Sequence, residues 1–257
     1  MDFSTLLVQA DGPIGSLTLN RPHCLNALSR ATLREIVQAV AWFDARPDIK
    51  IVVVSGAGRA FSSGFDLNDF AAPDAGANLR DEADLGRLAT EALTNIRALT
   101  IAAVRGRCVG GGVVLVAACD LRIAADDVIF SIPEVDLGIP LAWGGIPRMV
   151  REFGPAITKE LVLTCREFGP DEARALRFLN NVVPVADLDA TVAALAVELS
   201  LKSTMTLTVT KRHVNTVVEE MGSTAYSRTD ADALVTSRND PESRQAGRDY
   251  LERRRGR

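Results

Sequence analysis

Cysteine, histidine and excess charge are what this chain has least of. Its 257 residues include four cysteines, Cys24, Cys108, Cys119 and Cys165, and no two stand in C-x-x-C spacing. Zinc-ribbon and thioredoxin-type chemistry are therefore set aside. The two histidines, His23 and His213, form no H-E-x-x-H pair, so metal and triad hydrolase readings are weak and both are read as structural. A net charge of −4 leaves no electrostatic footprint for nucleic acid. Met1-Asp2-Phe3-Ser4 has neither a basic region nor a long apolar run, so no secretory signal is expected. The most apolar stretch, Gly110 to Cys119, is too short to span a bilayer, so no membrane span and a reducing, cytoplasmic setting are expected. There is no internal repeat motif and no low-complexity linker. The basic ending Arg253-Arg254-Arg255-Gly256-Arg257 reads as a solvated helix end.

What is present is the balance of a globular protein, 47% hydrophobic and 24% charged. A chain this long buries roughly three quarters of its unfolded surface and needs no disulfide or metal to fold. Thr5 to Gln9 and Ile14 to Asn20 flank Asp11-Gly12-Pro13 and predict a hairpin. Ser29 precedes Leu33, Ile36, Val37, Val40 and Phe43, which is helical spacing behind an N-cap. Ile51 to Val54 and Ile101 to Val104 are short apolar runs of the kind buried on both faces of a sheet. Leu85 to Ala98 and the segment after the glycines at 110–112 predict helices; Leu121 to Ala124 and Val128 to Phe130 predict strands. From Ile146 onward helical periodicity dominates, over Ile157 to Leu163, Pro170 to Leu176, Leu188 to Leu201 and Thr206 to Val218, with Pro184 and Gly222 as punctuation.

Three segments could carry chemistry. The first is Ala60-Phe61-Ser62-Ser63-Gly64-Phe65-Asp66-Leu67, after the strand at 51–54. The second is Gly106-Arg107-Cys108-Val109-Gly110-Gly111-Gly112, after the strand at 101–104. The third is Ile132-Pro133-Glu134-Val135-Asp136-Leu137-Gly138-Ile139-Pro140. In the first two, glycine lets backbone approach a ligand closely, and the triple glycine opens a helix with free N–H groups. Facing one another, these turns would make an oxyanion hole; either alone is an ordinary tight turn. Gly56-Ala57-Gly58 after a strand looks like the start of a dinucleotide fingerprint. However, position 61 is Phe61 rather than glycine, no helical pattern follows at once, and Asp66 comes too early to serve a ribose. Ser62 and Ser63 do not fit G-x-S-x-G.

Taken together and in this order, the motifs resemble the crotonase family, the enoyl-CoA hydratase/isomerase superfamily, over almost the whole chain. Arg21-Pro22 with Leu25-Asn26-Ala27-Leu28 is similar to the family's early CoA-side loop. AFSSGFDL at 60–67 and GRCVGGG at 106–112 are similar to its oxyanion segments, and CDLRIAA at 119–125 and PEVDLGI at 133–139 to its central signature. The resemblance implies an α/β fold, a crotonase-like spiral of ββα units with a helical C-terminal region. Residues 1–185 would form the core with the acyl-CoA site, and 186–257 a helical trimerisation region. It implies a homotrimer or hexamer acting on an acyl-CoA thioester. No separate cofactor and no metal are implied, coenzyme A being part of the substrate. The implied oxyanion donors are the backbone N–H groups of Phe65 and Gly111. Asn26, Ala27, Leu28, Ser63, Gly64, Asp66, Leu67, Asn68 and Gly110 would lie on the substrate and CoA side.

Hydratases of this family carry two glutamates that grip the attacking water. Aligned on the triple glycine, the first position holds Val114; aligned on the central signature, the second holds Glu134. Read alone, Glu134 is a surface carboxylate beside Pro133. With the resemblance it becomes the acid–base group, its pKa raised by an apolar pocket. Hydration needs a water oriented and its proton handled, whereas moving a proton along the acyl chain needs one carboxylate. The favoured expectation is therefore 3,2-enoyl-CoA isomerisation. The alternatives are a 2-enoyl-CoA hydratase that has recruited a substitute group, and an acyl-CoA-binding protein with little catalysis. Asp136 stands close enough in sequence to share the face of Glu134 or to lie beyond reach. Ala142 stands where dienoyl isomerases of the family have an aspartate. Arg107 replaces a frequent aromatic and could shape the acyl pocket or pair with a ligand carboxylate. Thr100-Ile101 replaces a common proline, and Arg177 a frequent glycine.

Overall fold

The computed structural model describes residues 2–71 and 78–255. Its first strands, β1 (Leu6–Asp11) and β2 (Ile14–Leu19), form the hairpin expected around Asp11-Gly12-Pro13, and Gly12 takes φ 53° in the turn. In α1 (Arg30–Asp44), Ser29 Oγ accepts the backbone N–H of Thr32 at 3.1 Å, and Leu33, Ile36, Val40 and Phe43 are buried along one face.

The chain then uses one unit three times. A longer strand in one sheet runs into a three-residue strand in a second sheet, and helix follows. β3 (Ile51–Gly56) and β4 (Ala60–Ser62) lead to α2 (Leu67–Ala71) and α3 (Leu79–Asn95). β5 (Leu99–Val104) and β6 (Arg107–Val109) lead to α4 (Gly111–Ala117). β7 (Leu121–Ala125) and β8 (Ile129–Ser131) lead, through a run of turns, to α5 (Gly145–Thr164). After α6 (Pro170–Ala175) and β9 (Asn181–Val183), the chain continues as α7 (Leu188–Ser200), α8 (Thr204–Met221), α9 (Asp230–Asn239) and α10 (Pro241–Arg255).

The first sheet has the order β1-β2-β3-β5-β7-β9, antiparallel at β1/β2 and parallel elsewhere; the second, β4-β6-β8, is parallel throughout. Side-chain alternation splits the apolar runs between two layers. Val52, Val54, Ala102, Val104 and Ala124 face the main core, with α1, α3 and α4. Ile51, Ile101, Ala103, Ile123 and Ala125 face Leu188, Val192 and Ala196 of α7. Both faces are covered, as the all-apolar runs imply. Each fully buried isoleucine contributes roughly 2 kcal/mol.

The departures from the sequence reading have local causes. The helix expected over 85–98 begins at Leu79, capped by Asn78, because its first turn is polar and Leu79 is exposed. β4 and β6 lie inside segments that read as turns; three residues are too few for alternation to register. α5 extends back to Gly145 across a kink at Gly154 (φ 74°), before Pro155, so periodicity shows only its second half. Arg177 has φ 65°, the left-handed conformation that glycine adopts without strain, which accounts for glycine being frequent there in the family. Thr100 donates its N–H to Asp120 Oδ2 at 2.7 Å, a bond that proline could not make. The basic ending is the end of α10; Gly256 and Arg257 lie outside the described residues. No single described helix is long and apolar enough to cross a membrane.

Candidate active site

Because β4, β6 and β8 are adjacent and parallel, the turns leaving their C-terminal ends lie side by side. Those turns carry Phe65, Gly111 and Glu134 in that order, three segments far apart in sequence brought together by one small sheet.

Phe65 pairs with Leu28 in an isolated parallel bridge. Leu28 N–H donates to Gly64 O at 2.8 Å, and Asp66 N–H to Leu28 O at 3.0 Å. In that pattern the flanking peptides face Leu28, so the N–H of Phe65 points the other way. Ser62 Oγ locks the turn by donating to Asn26 O at 2.9 Å and accepting from Gly64 N–H at 3.2 Å. Gly111 opens α4, where a first-turn N–H has no helical acceptor. Neither N–H has an acceptor among the described residues, and both residues line one cavity. The two turns touch. A Cβ on Gly64, at φ 87°, would lie 2.9 Å from Val109 O and 3.9 Å from Gly110 Cα.

Glu134 enters from the third turn. Its carboxylate sits so close to Gly110 that a Cβ there would come within 2.4 Å of Oε1. The residue is partly buried, but its tip is sealed: Oε2 is shut off from solvent and accepts no hydrogen bond among the described residues. Desolvation of the charged form pushes its pKa up to about 7, and only a hydrogen bond from its own backbone opposes the rise. It lines two cavities at once, sharing Phe65 and Ile139 between them. On one side lie Ala27, Ser63, Gly64, Leu67, Gly110 and Tyr250. On the other lie Gly111, Val114, Leu141, Ala142 and Trp143. This is a carboxyl group that can both take and return a proton near neutral pH, beside two free backbone donors.

Not all residues expected on the CoA side reach a cavity. Ala27, Ser63, Gly64, Leu67 and Gly110 do, whereas Asn26, Leu28, Asp66 and Asn68 stand outside both linings. Asn26 accepts Arg21 N–H on Oδ1 at 2.9 Å and donates from Nδ2 to Ala57 O and Ala60 O, both at 2.8 Å. It holds the loop, as does Asp66, whose Oδ2 pairs with Arg21 at 2.8 Å. Asp136 lines neither cavity. The segment from 133 to 139 is a run of tight turns, not an extended strand, and leaves Asp136 exposed. Arg107 is exposed and paired with Glu167, so it shapes neither cavity. His23 and His213 are both exposed and line neither cavity.

Trp143, which carries no motif, is the residue the sequence reading missed. It has φ 63°, its carbonyl accepts Thr90 Oγ1 at 2.9 Å, and its ring meets Phe65 edge-to-face at 5.8 Å. The ring fills the space where Gly86 and Gly111 lack side chains; a Cβ at either would fall about 2 Å from it. Glu82, Arg30 and Arg238 line the same cavity beyond the indole and were also unforeseen.

Residues 9–257 match the sequence model of the enoyl-CoA hydratase/isomerase family. A probable enoyl-CoA hydratase of Mycobacterium tuberculosis is 37% identical over 221 residues, covering 85% of this chain and 84% of that one. A peroxisomal Delta(3,5)-Delta(2,4)-dienoyl-CoA isomerase of Arabidopsis thaliana is 37% identical over 213 residues, covering 78% and 77%. The crystal structure of an enoyl-CoA hydratase/isomerase from Xanthobacter autotrophicus superposes with a TM-score of 0.85 at 30% identity, over 95% of this chain and 91% of that one.

Proposed function

The chain belongs to the enoyl-CoA hydratase/isomerase family, the crotonase superfamily, and from that premise we propose that it isomerises 3-enoyl-CoA to 2-enoyl-CoA with Glu134 as the proton shuttle. One observation carries the reading. Glu134 sits beside two backbone N–H groups without acceptors, and the position that would hold a second glutamate near it is Val114, which is 1% exposed. In this mechanism the thioester oxygen lies against the N–H groups of Phe65 and Gly111. Glu134 takes a proton from C2, and the electron pair of that C–H bond moves into a dienolate whose oxygen the two donors stabilise. The protonated carboxyl then delivers its proton to C4, leaving the double bond between C2 and C3 and the carboxylate restored. Each backbone donor of this type is worth about 10²- to 10³-fold in rate. The cavity with Ala27, Ser63, Gly64 and Leu67 suits the pantetheine side, and the one with Trp143 and Leu141 the acyl chain.

Hydration of 2-enoyl-CoA is the second reading, favoured by the probable-hydratase names of relatives. Dienoyl isomerisation is set apart by Ala142, which brings an apolar side chain into the acyl cavity. The test is a direct comparison. The enzyme should convert a 3-enoyl-CoA to its conjugated isomer at least 10² faster than it removes the conjugated absorbance of crotonyl-CoA by hydration, following from the missing acid–base partner. Faster hydration of crotonyl-CoA would make the protein a hydratase.

A trimer or a pair of trimers belongs to the same proposal. Leu201, Met205, Met221 and Tyr226 are each more than 70% exposed around α8, an apolar surface suited to burial between subunits. Light scattering should give three or six times the 27.6 kDa of one chain; a monomeric mass rejects the assembly.

A further inference from the structure

The acyl cavity changes character beyond the indole of Trp143. Leu33, Leu79, Ala83, Leu234 and Val235 supply apolar wall, but Glu82 of α3 and Arg30 of α1 open into it. The Glu82 side chain is only 6% exposed, and its Oε2 lies 3.0 Å from Arg30 Nε. That contact is an ion pair without the alignment of a hydrogen bond, and both carboxylate oxygens lack a hydrogen-bond donor among the described residues. Arg30 is held from its other side, where a guanidinium N–H donates to Asp69 O at 2.6 Å and the backbone N–H to Asp69 Oδ2 at 2.7 Å. Arg238 of α9 shares the cavity.

A carboxylate offers about four acceptor positions, and one buried without donors is strongly unfavourable. A plain alkyl chain filling this cavity would seal Glu82 in that condition. A substrate carboxylate would meet Glu82 itself, and a substrate ammonium would meet Arg30 and Arg238. The group that suits this end of the cavity is neutral and donates a hydrogen bond to Glu82.

We propose that the acyl chain taken by this enzyme bears a hydroxyl on its distal part, donating to Glu82. The inference rests on the acyl-CoA reading of the cavity. It assigns Glu82 to specificity and not to proton transfer, since the indole stands between Gly86, one helical turn along α3, and Gly111.

The test is calorimetric binding of saturated short- to medium-chain acyl-CoAs in matched pairs, with and without a terminal hydroxyl. At one chain length the hydroxylated member should bind about tenfold or more tightly. In Glu82→Leu the order should reverse, the alkyl ligand gaining and the hydroxylated one losing about tenfold. Glu82→Gln, nearly isosteric, should keep part of the preference and serves if the leucine variant does not fold. No hydroxyl preference at any length, or a preference that survives Glu82→Leu, overturns the inference. So does an equal loss of turnover in a folded Glu82→Leu protein for 3-enoyl-CoAs with and without a terminal hydroxyl, which would place Glu82 in the chemistry. Absence of 3-enoyl-CoA turnover in the wild type would sink the isomerase reading while leaving the binding preference to be read independently.

Discussion

Glu134→Gln is expected to lower isomerisation of a 3-enoyl-CoA by about 10²- to 10⁴-fold, the range a positioned acid–base group supplies. Glutamine keeps the shape beside Gly110 but neither takes a proton from C2 nor returns one at C4. The pH profile should identify the group as well as the loss. Burial holds the Glu134 pKa up at about 7, so kcat/KM of the wild type should rise with pH and level off above a midpoint near 7. Residual activity of the variant should lack that step. Undiminished conversion by Glu134→Gln removes the residue from the mechanism.

The same carboxyl makes a stability prediction of definite sign. Its folded-state pKa lies above its unfolded value, so between the two the native state holds a proton that the unfolded chain has released. Stability contributed by the neutral form is complete below the unfolded pKa. It declines as pH rises from about 4.5 and is lost above about 7, a difference of about 3 kcal/mol. Glutamine cannot ionise, so Glu134→Gln should melt several degrees above the wild type at pH 8 and show little advantage at pH 4. Catalytic readiness and stability oppose each other at this one side chain.

How far the sequence reached can be seen from the residues themselves. Phe65 and Gly111 were named through the family resemblance, and the role proposed for them is a backbone one. Close approach of the two turns requires glycine at 64, the carboxylate of Glu134 leaves no room for a Cβ at 110, and the order of the turns along the chain repeats their order across β4, β6 and β8. Glu134 was legible only through its motif. Nothing local distinguishes it from an exposed glutamate, since the burial that raises its pKa comes from other segments. Trp143 escaped because it sits in an irregular turn and acts through a fit to Gly86 and Gly111, residues remote from it in sequence. Glu82 was hidden more thoroughly. An acidic residue in the first turn of a helix satisfies a local preference for negative charge there, and that explanation looks complete until the fold sets Arg30 against it. The short strands β4 and β6 were lost for a related reason: their three residues are specified by pairing across the sheet rather than by a pattern of their own.

Val114→Glu is expected to raise the protein's hydration activity. Val114 lies three residues after Gly111 on α4, on the same helical face, and lines the cavity that Glu134 also lines. Val114 Cγ2 packs close to Gly145, where an added Cβ would lie 3.1 Å from it, and its other side lines the cavity into which a longer side chain can extend. A carboxylate there could hold a water between itself and Glu134, one group positioning it and the other handling its proton. Crotonyl-CoA hydration is then expected to rise by about 10²- to 10⁴-fold. Isomerisation should fall, because water admitted to the cavity competes for the shuttled proton. The substitution also places two acids in one apolar space, so their first ionisation should come lower than their second and the protein should lose stability as pH rises. A folded Val114→Glu enzyme with no gain in hydration would show that a second carboxylate is not what separates the two reactions here. The choice between them would then lie in where the acyl chain sits relative to Glu134, rather than in how many carboxylates surround it.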